Sequence, residues 1–123
     1  MAQFRLDRPV VLVCGGRKYK DRNNLFKILD ELSDSIGEFI VLHGAAEGAD
    51  SLAERYAKDR EYAYIGVPAK WNKLGPFKAG NYRNRRMAYV FTPDIVVAFP
   101  GGTGTDDMVE LADQNKIKIM DFR

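Results

Sequence analysis

A glycine- and threonine-rich segment, PGGTGTDD, lies between an apolar run and a stretch with helical spacing. Its central residues are Gly101, Gly102, Thr103, Gly104 and Thr105. Small residues let backbone N–H groups approach a ligand, and a helix N-terminus carries unpaired N–H groups with partial positive charge. The segment lacks the Lys-Ser/Thr ending of a P-loop and the spacing of a dinucleotide fingerprint. It is predicted to bind phosphate, with a threonine-capped strand-to-helix turn as the alternative.

Two further glycine turns follow apolar runs earlier in the chain. The residues of these turns that we assign to the ligand site are Gly15, Gly16, Arg17, His43, Gly44, Gly48 and Asp50. Three glycine turns on one edge of a sheet are a stronger indication of a ligand site than any one of them. For His43 the alternative is a packed, hydrogen-bonded side chain, and for Asp50 it is a role at the start of a helix.

Two adjacent carboxylates, Asp106 and Asp107, follow the phosphate-loop candidate. Acidic residues in a first helical turn favour the helix dipole, which is the alternative to a functional role. The apolar stripe of Met108, Leu111 and Ala112 places Asp106 on the exposed side and Asp107 on the flank. Asp107 is therefore the carboxylate expected to face a cleft, toward a sugar hydroxyl or a water molecule.

The segment NYRNRRM supplies three arginines within four residues. On a helix, Arg83 and Arg86 share a face, and a guanidinium group can bind phosphate through two hydrogen bonds. We include Arg83, Asn84 and Arg86 in the predicted ligand set; the alternative is a solvated charged face. The preceding aromatic segment holds Trp71 and Phe77, which could cover a base, although Trp71 could equally close one edge of the core.

Strand and helix patterns alternate along the whole chain. Strands are predicted over residues 9–14, 38–43, 61–67, 94–99 and 116–122, and helices over 21–36, 50–60, 81–90 and 103–115, with an irregular loop over 68–80. This alternation predicts a single α/β domain over residues 1–123, a Rossmann-like three-layer sandwich around a mainly parallel five-stranded sheet. The strand order 3-2-1-4-5 would put a topological switch between strands 1 and 4, where ligands bind.

Composition limits the function. The net charge of +2 argues against nucleic acid and membrane surfaces as partners. No apolar run reaches the length of a membrane span, and the N-terminal segment MAQFRLDRP has no apolar core of a secretion signal. One cysteine and one histidine offer no zinc ligand set, so we expect no metal or cofactor. A cytoplasmic protein is the simplest expectation.

Four motifs in order, CGGRKYKD, LHGAAEGAD, GPFKAGNYRNRRM and AFPGGTGTDDMV, resemble the YspA-like branch of the SLOG superfamily. The superfamily also includes LOG-type phosphoribohydrolases and DprA-like proteins. The resemblance covers residues 10–119 and implies a Rossmann-like fold that binds nucleotides or nucleotide-derived ligands at the strand ends. Related folds also imply a homo-oligomer.

The resemblance leaves catalysis open. In LOG-type enzymes the motif P-G-G-x-G-T-x-x-E carries a catalytic glutamate, and Met108 occupies that position in this sequence. Either Asp107, with Arg83, has taken over the catalytic role, or the protein binds without hydrolysis. The leading hypothesis is a nucleotide-binding protein that senses or sequesters its ligand. The alternatives are a nucleotide N-glycosidase or phosphoribosyl hydrolase or transferase and, third, a DprA-like binder of single-stranded DNA.

Overall fold

The computed structural model describes residues 8–123, apart from the side chains of residues 71–74, 76 and 77. Its strands are β1 (Val10–Cys14), β2 (Ile40–His43), β3 (Tyr64–Gly66), β4 (Ile95–Ala98) and β5 (Lys118–Asp121). The helices that alternate with them are α1 (Arg22–Ile36), α2 (Ala49–Arg60), α3 (Trp71–Tyr89) and α4 (Thr103–Gln114).

The strands form one parallel sheet in the order β3-β2-β1-β4-β5, which confirms the predicted topology. Strand β1 is central: Val11 is in register with Val41 of β2 on one side and with Ile95 of β4 on the other. Every residue of β1, β2 and β4 is buried. Strands covered on both faces carry continuous apolar runs, which is why the sequence identified these three most clearly.

Each face of the sheet has its own apolar core. One core joins α1 and α2 to the sheet around Leu25, Tyr56 and Phe99. The other joins α3 and α4 to the opposite face around Leu12 and Met108. The chain places two helices on each side, so the carboxyl ends of β1 and β4 are left as a cleft at the topological switch.

Helix α3 differs from the sequence prediction, because residues 71–80 are helical rather than an irregular loop. A single non-helical residue, Gly75, interrupts the helix with φ 77° and ψ 171°. This backbone conformation is essentially restricted to glycine. The Gly and Pro that suggested a loop therefore mark a sharp break between two helical pieces.

The other element boundaries agree with the patterns to within a few residues. Helix α1 begins after Asp21, whose Oδ1 accepts a hydrogen bond of 3.1 Å from the Asn24 N–H, and it ends at Gly37, which has φ 83°. The edge strand β3 has three residues, fewer than its apolar run predicted. Within residues 8–123, none of the helices combines the length and the apolar character that crossing a membrane requires.

Candidate ligand-binding site

A cleft of about 1130 Å³ opens at the carboxyl ends of the strands. It is bounded by the turns after β1, β2 and β4 and by the middle of α3. The structure brings together twelve of the sequence-predicted residues on its walls: Gly15, Gly16, Arg17, Gly44, Asp50, Arg83, Asn84, Gly101, Gly102, Thr103, Gly104 and Thr105.

The turns after β1 and β4 are in direct contact at the floor of the cleft. The Gly16 N–H donates to the Pro100 carbonyl oxygen at 2.8 Å. A Cβ atom on Gly16 would lie 3.0 Å from the Gly101 Cα, and a Cβ atom on Gly101 would collide with the Thr105 hydroxyl. Packing of the protein itself therefore requires glycine at position 101 and leaves very little room for a side chain at position 16.

Gly102 and Gly104 have a different environment. A Cβ atom at either position would meet no atom within 4 Å among the described residues. Gly102 is the N-cap of α4 and supplies no capping side chain, and Gly104 lies in the first helical turn. Glycine lowers helix stability by up to about 1 kcal/mol relative to alanine. Both residues therefore leave open space over the helix N-terminus without any packing reason to do so.

Arg83 is fixed within the cleft by two hydrogen bonds. Its Nη1 donates to the Gly44 carbonyl oxygen at 2.6 Å, and its Nε donates to the Asn84 Oδ1 at 3.0 Å. Burial lowers the pKa of Arg83, although nearby Asp50 opposes that shift. The guanidinium group nevertheless keeps its charge, because the ordinary pKa of arginine lies far above neutrality.

Asn84 holds α3 against α4. It is buried, and its Nδ2 donates to the Gly104 carbonyl oxygen at 3.1 Å and to the Asp107 Oδ2 at 2.9 Å. Because its Oδ1 also accepts from Arg83, its hydrogen bonds within the protein already use both ends of the amide. Asn84 therefore positions both the Arg83 side chain and the N-terminus of α4.

Asp50 is a buried carboxylate at the start of α2. Its Oδ2 accepts hydrogen bonds from the N–H groups of Gly44 at 3.1 Å and Ala46 at 3.3 Å. Burial raises the pKa of Asp50, and the hydrogen bond from Ala46 and the charge of Arg83 partly counteract that rise. Asp50 thus orders the turn after β2 at an electrostatic cost.

Three predicted residues lie outside the described cleft wall. His43 is buried: its Nε2 is 3.0 Å from the Glu54 Oε1, and its Nδ1 accepts from the Ala45 N–H at 2.9 Å. Gly48 has φ 78°, and a Cβ atom there would collide with the Gly16 carbonyl oxygen. Arg86 is exposed on α3.

The two carboxylates at the start of α4 differ in exposure, as the helical pattern predicted. Neither of them lines the cleft, although Asp107 was expected to face it. Asp106 is exposed and its Oδ1 lies 2.7 Å from the Arg123 Nη1. Asp107 is partly buried and accepts the hydrogen bond from Asn84. The side chains of Trp71 and Phe77, predicted to cover a base, lie outside the described part of the chain.

The loop between β1 and α1 contributes a group of cleft residues that was not predicted from the sequence: Lys18, Tyr19, Lys20 and Asp21. The Tyr19 ring lies 5.2 Å from the Phe99 ring, which anchors the loop on the core. These residues are part of the motif CGGRKYKD, directly after a strand end. Extending the predicted edge from the glycines to the start of the next helix would have included them.

The cleft has an excess of positive charge among its described residues. These supply four cationic side chains, from Arg17, Lys18, Lys20 and Arg83, against two carboxylates, from Asp21 and Asp50. The partial positive charge of the α4 N-terminus adds to this excess. Within the described residues, no three His, Cys, Asp or Glu side chains are grouped so that they could hold a metal ion. Cys14 lines the cleft, but burial raises the pKa of its thiol, so the reactive thiolate is disfavoured.

The fold is Rossmann-like, with a cleft at the strand ends. Residues 9–74, more than half of the chain, match the model of the YspA, cpYpsA-related SLOG family. The chain belongs to this family. It is also 36% identical over 120 residues to the Gene 61 protein of Mycobacterium phage D29, covering 91% of this chain and 94% of that protein.

Solved structures share the fold at lower identity. The molybdenum cofactor carrier protein of Chlamydomonas reinhardtii aligns with a TM-score of 0.66 and 20% identity, over 94% of this chain and 76% of the carrier. DNA processing protein A of Helicobacter pylori, described as binding single-stranded DNA, aligns with a TM-score of 0.65 and 16% identity, over 94% of this chain and 66% of that protein. At these identities the comparison establishes the fold.

Proposed function

We propose that the protein binds a nucleotide or a nucleotide-derived small molecule in the strand-end cleft and senses or sequesters it. The phosphate group lies on the first turn of α4, over Gly102 and Gly104. The observation that carries this proposal is that these two glycines leave space that the packing of the described residues does not need. Open space at a helix N-terminus lets an anion reach the backbone N–H groups.

The surrounding charges support a phosphate ligand. Arg83 is oriented by the Gly44 carbonyl and by Asn84, so little side-chain entropy remains to be lost when an anion binds. The cleft is also larger than a phosphate needs, at about 1130 Å³, which leaves room for the sugar and base of a nucleotide. The C. reinhardtii neighbour, a carrier of the molybdenum cofactor, is a precedent on this fold for carrying a small molecule.

The residues at the catalytic position favour binding over hydrolysis. Met108 lines the cleft in place of the glutamate expected from the LOG-type motif, and a thioether cannot stabilise an oxocarbenium-like transition state. Asp107, the substitute suggested by the sequence, accepts a hydrogen bond from Asn84. The proposal therefore assigns Asp107 to the contact between α3 and α4.

Calorimetric titration tests the proposal with nucleoside mono-, di- and cyclic phosphates and with the matching nucleosides. We expect at least one nucleotide to bind and its nucleoside to bind at least about tenfold more weakly, because charge-assisted hydrogen bonds to phosphate are lost. Absence of binding by every nucleotide at millimolar concentration would overturn the proposal.

Substitution of Gly104 should change nucleotide affinity without lowering the stability of the fold. The Cα–Cβ bonds of a helix tilt toward its N-terminus, so the methyl group of Gly104→Ala projects toward a phosphate bound there. We expect Gly104→Ala to lower nucleotide affinity at least about tenfold, a change of about 1.4 kcal/mol. The same variant should unfold at an equal or slightly higher temperature. Unchanged affinity would contradict the hypothesis that the phosphate binds at the N-terminus of α4.

Two arginines of α3 provide a matched pair for the same titration. Arg83→Ala removes the cation that lines the cleft, whereas Arg86→Ala removes an exposed one three residues further on. Only Arg83→Ala is expected to weaken nucleotide binding. Equal losses in both variants would mean that general charge, rather than the oriented guanidinium, attracts the ligand.

A further inference from the structure

The outer surface of α3 carries a pattern that the cleft does not use. Lys78, Tyr82, Arg85 and Tyr89 are all exposed, and their spacings of four, three and four residues place them on one stripe of the helix. We call these four residues the α3 stripe. Met87, on the opposite side of the helix by the same geometry, is buried in the core with Ala88.

The two tyrosines of the stripe are unusually open for aromatic side chains. Tyr82 is 54% exposed and Tyr89 is 55% exposed. Seven residues separate them, so their positions are about 10 Å apart along the helix axis. Large exposed rings at regular spacing offer flat surfaces on which other rings can stack.

The stripe is also cationic in a chain of low net charge. It carries Lys78 and Arg85, and helix α3 contains no Asp or Glu, whereas the whole chain has a net charge of +2. The net charge therefore conceals a local excess of positive charge. Both charged side chains of the stripe, Lys78 and Arg85, are cations, so a partner that supplies negative charge complements the stripe.

We infer that the α3 stripe is a binding surface for single-stranded nucleic acid. Lys78 and Arg85 contact phosphates, and Tyr82 and Tyr89 stack on unpaired bases, the combination that recognises single strands without sequence preference. A duplex hides its bases from such rings, so the stripe distinguishes single strands from duplexes. This inference does not depend on the nucleotide proposed for the cleft. It departs from the expectation based on net charge alone.

Fluorescence anisotropy of the full chain with labelled oligothymidylate and oligouridylate tests this inference. We expect binding of single strands at low salt and at least about tenfold weaker binding of a duplex of equal length. Tyr82→Leu and Tyr89→Leu should each lower affinity about tenfold, whereas Tyr82→Phe and Tyr89→Phe should retain it because the ring remains. Tyr64→Leu is the matched control, since Tyr64 is exposed on β3 and lies near Lys58 of α2.

The salt dependence isolates the cationic part of the stripe. Arg85→Gln should reduce the slope of log affinity against log salt by about 0.7, the value for one phosphate contact on a single strand, and Arg85→Lys should keep it. Three results would overturn the inference: no single-strand binding at low salt, equal losses in Tyr64→Leu, or equal binding of a polyglutamate peptide that is insensitive to the tyrosine variants. The last result would identify an acidic protein as the partner.

Discussion

At the scale of single residues, the glycines of the strand-end turns have two different environments. Gly16 and Gly101 are small because their two turns touch, and a side chain on either would meet the backbone or Thr105. Gly102 and Gly104 are small with open space around them. The sequence predicted a glycine-rich ligand loop, but it could not distinguish these roles, because the distinction depends on which turn lies opposite.

Asp50 shows how a buried carboxylate can be structural and electrostatically unfavourable at once. We expect Asp50→Ala to destabilise the protein by about 1–3 kcal/mol, because the N–H groups of Gly44 and Ala46 lose their acceptor. Asp50→Asn retains an oxygen acceptor without the buried charge, and it should be as stable as the wild type or more stable at neutral pH. Urea unfolding of the three proteins measures these differences.

The raised pKa of Asp50 also fixes the sign of a pH effect. In the folded state the carboxyl takes up its proton at a higher pH than in the unfolded chain. The contribution of Asp50 to stability should therefore rise as the pH falls through its folded pKa, and it is complete below the unfolded value of about 3.9. The stability advantage of Asp50→Asn over the wild type should shrink as the pH falls. An advantage that grew on acidification would contradict the raised pKa.

At the scale of secondary-structure elements, α3 decides most of the function proposed for this protein. Its inner side brings Arg83 into the cleft and Asn84 against α4, and its outer side presents the α3 stripe. Helical spacing predicted that Arg83 and Arg86 share a face. In the structure Arg83 is partly buried in the cleft wall, whereas Arg86 is exposed. The sequence could not place that boundary, because it is set by how α3 lies on α4 and on the sheet.

The break at Gly75 is the element-scale feature most open to test. Its φ of 77° and ψ of 171° belong to a region that residues with a Cβ atom rarely occupy. We expect Gly75→Ala to lower the free energy of unfolding by about 1–3 kcal/mol. Gly104→Ala, with an ordinary helical backbone and open space, should not lower it, and the two variants can be compared by thermal unfolding. Equal stabilities would mean that the break is not strained.

At the scale of the whole molecule, the parallel sheet joins two cores into one structure. Leu12 of β1 belongs to the core under α3 and α4, and Leu25 of α1 belongs to the core on the opposite face. Both are fully buried. Because the strands between the cores are shared, loss of one core removes the support of the other, and one cooperative unfolding transition is expected.

Truncation of either leucine should test this coupling. Leu12→Ala and Leu25→Ala are each expected to cost about 2–5 kcal/mol, through lost burial and the cavity left behind. The double variant should show the sum to within about 0.5 kcal/mol in a single transition, because the two sites lie on opposite faces of the sheet. Calorimetry that resolved two transitions would show that the cores unfold separately.

The sequence by itself determined the α/β class, the strand order and the edge at which the glycine turns meet. Buried parallel strands have continuous apolar runs, helices have their own periodicity, and right-handed crossovers leave few ways to connect them. Only the tertiary structure decided that Arg83 enters the cleft while Arg86 stays exposed, that Asp107 binds Asn84, and that residues 71–80 are helical. These outcomes depend on contacts between residues far apart in the chain, which local pattern does not encode.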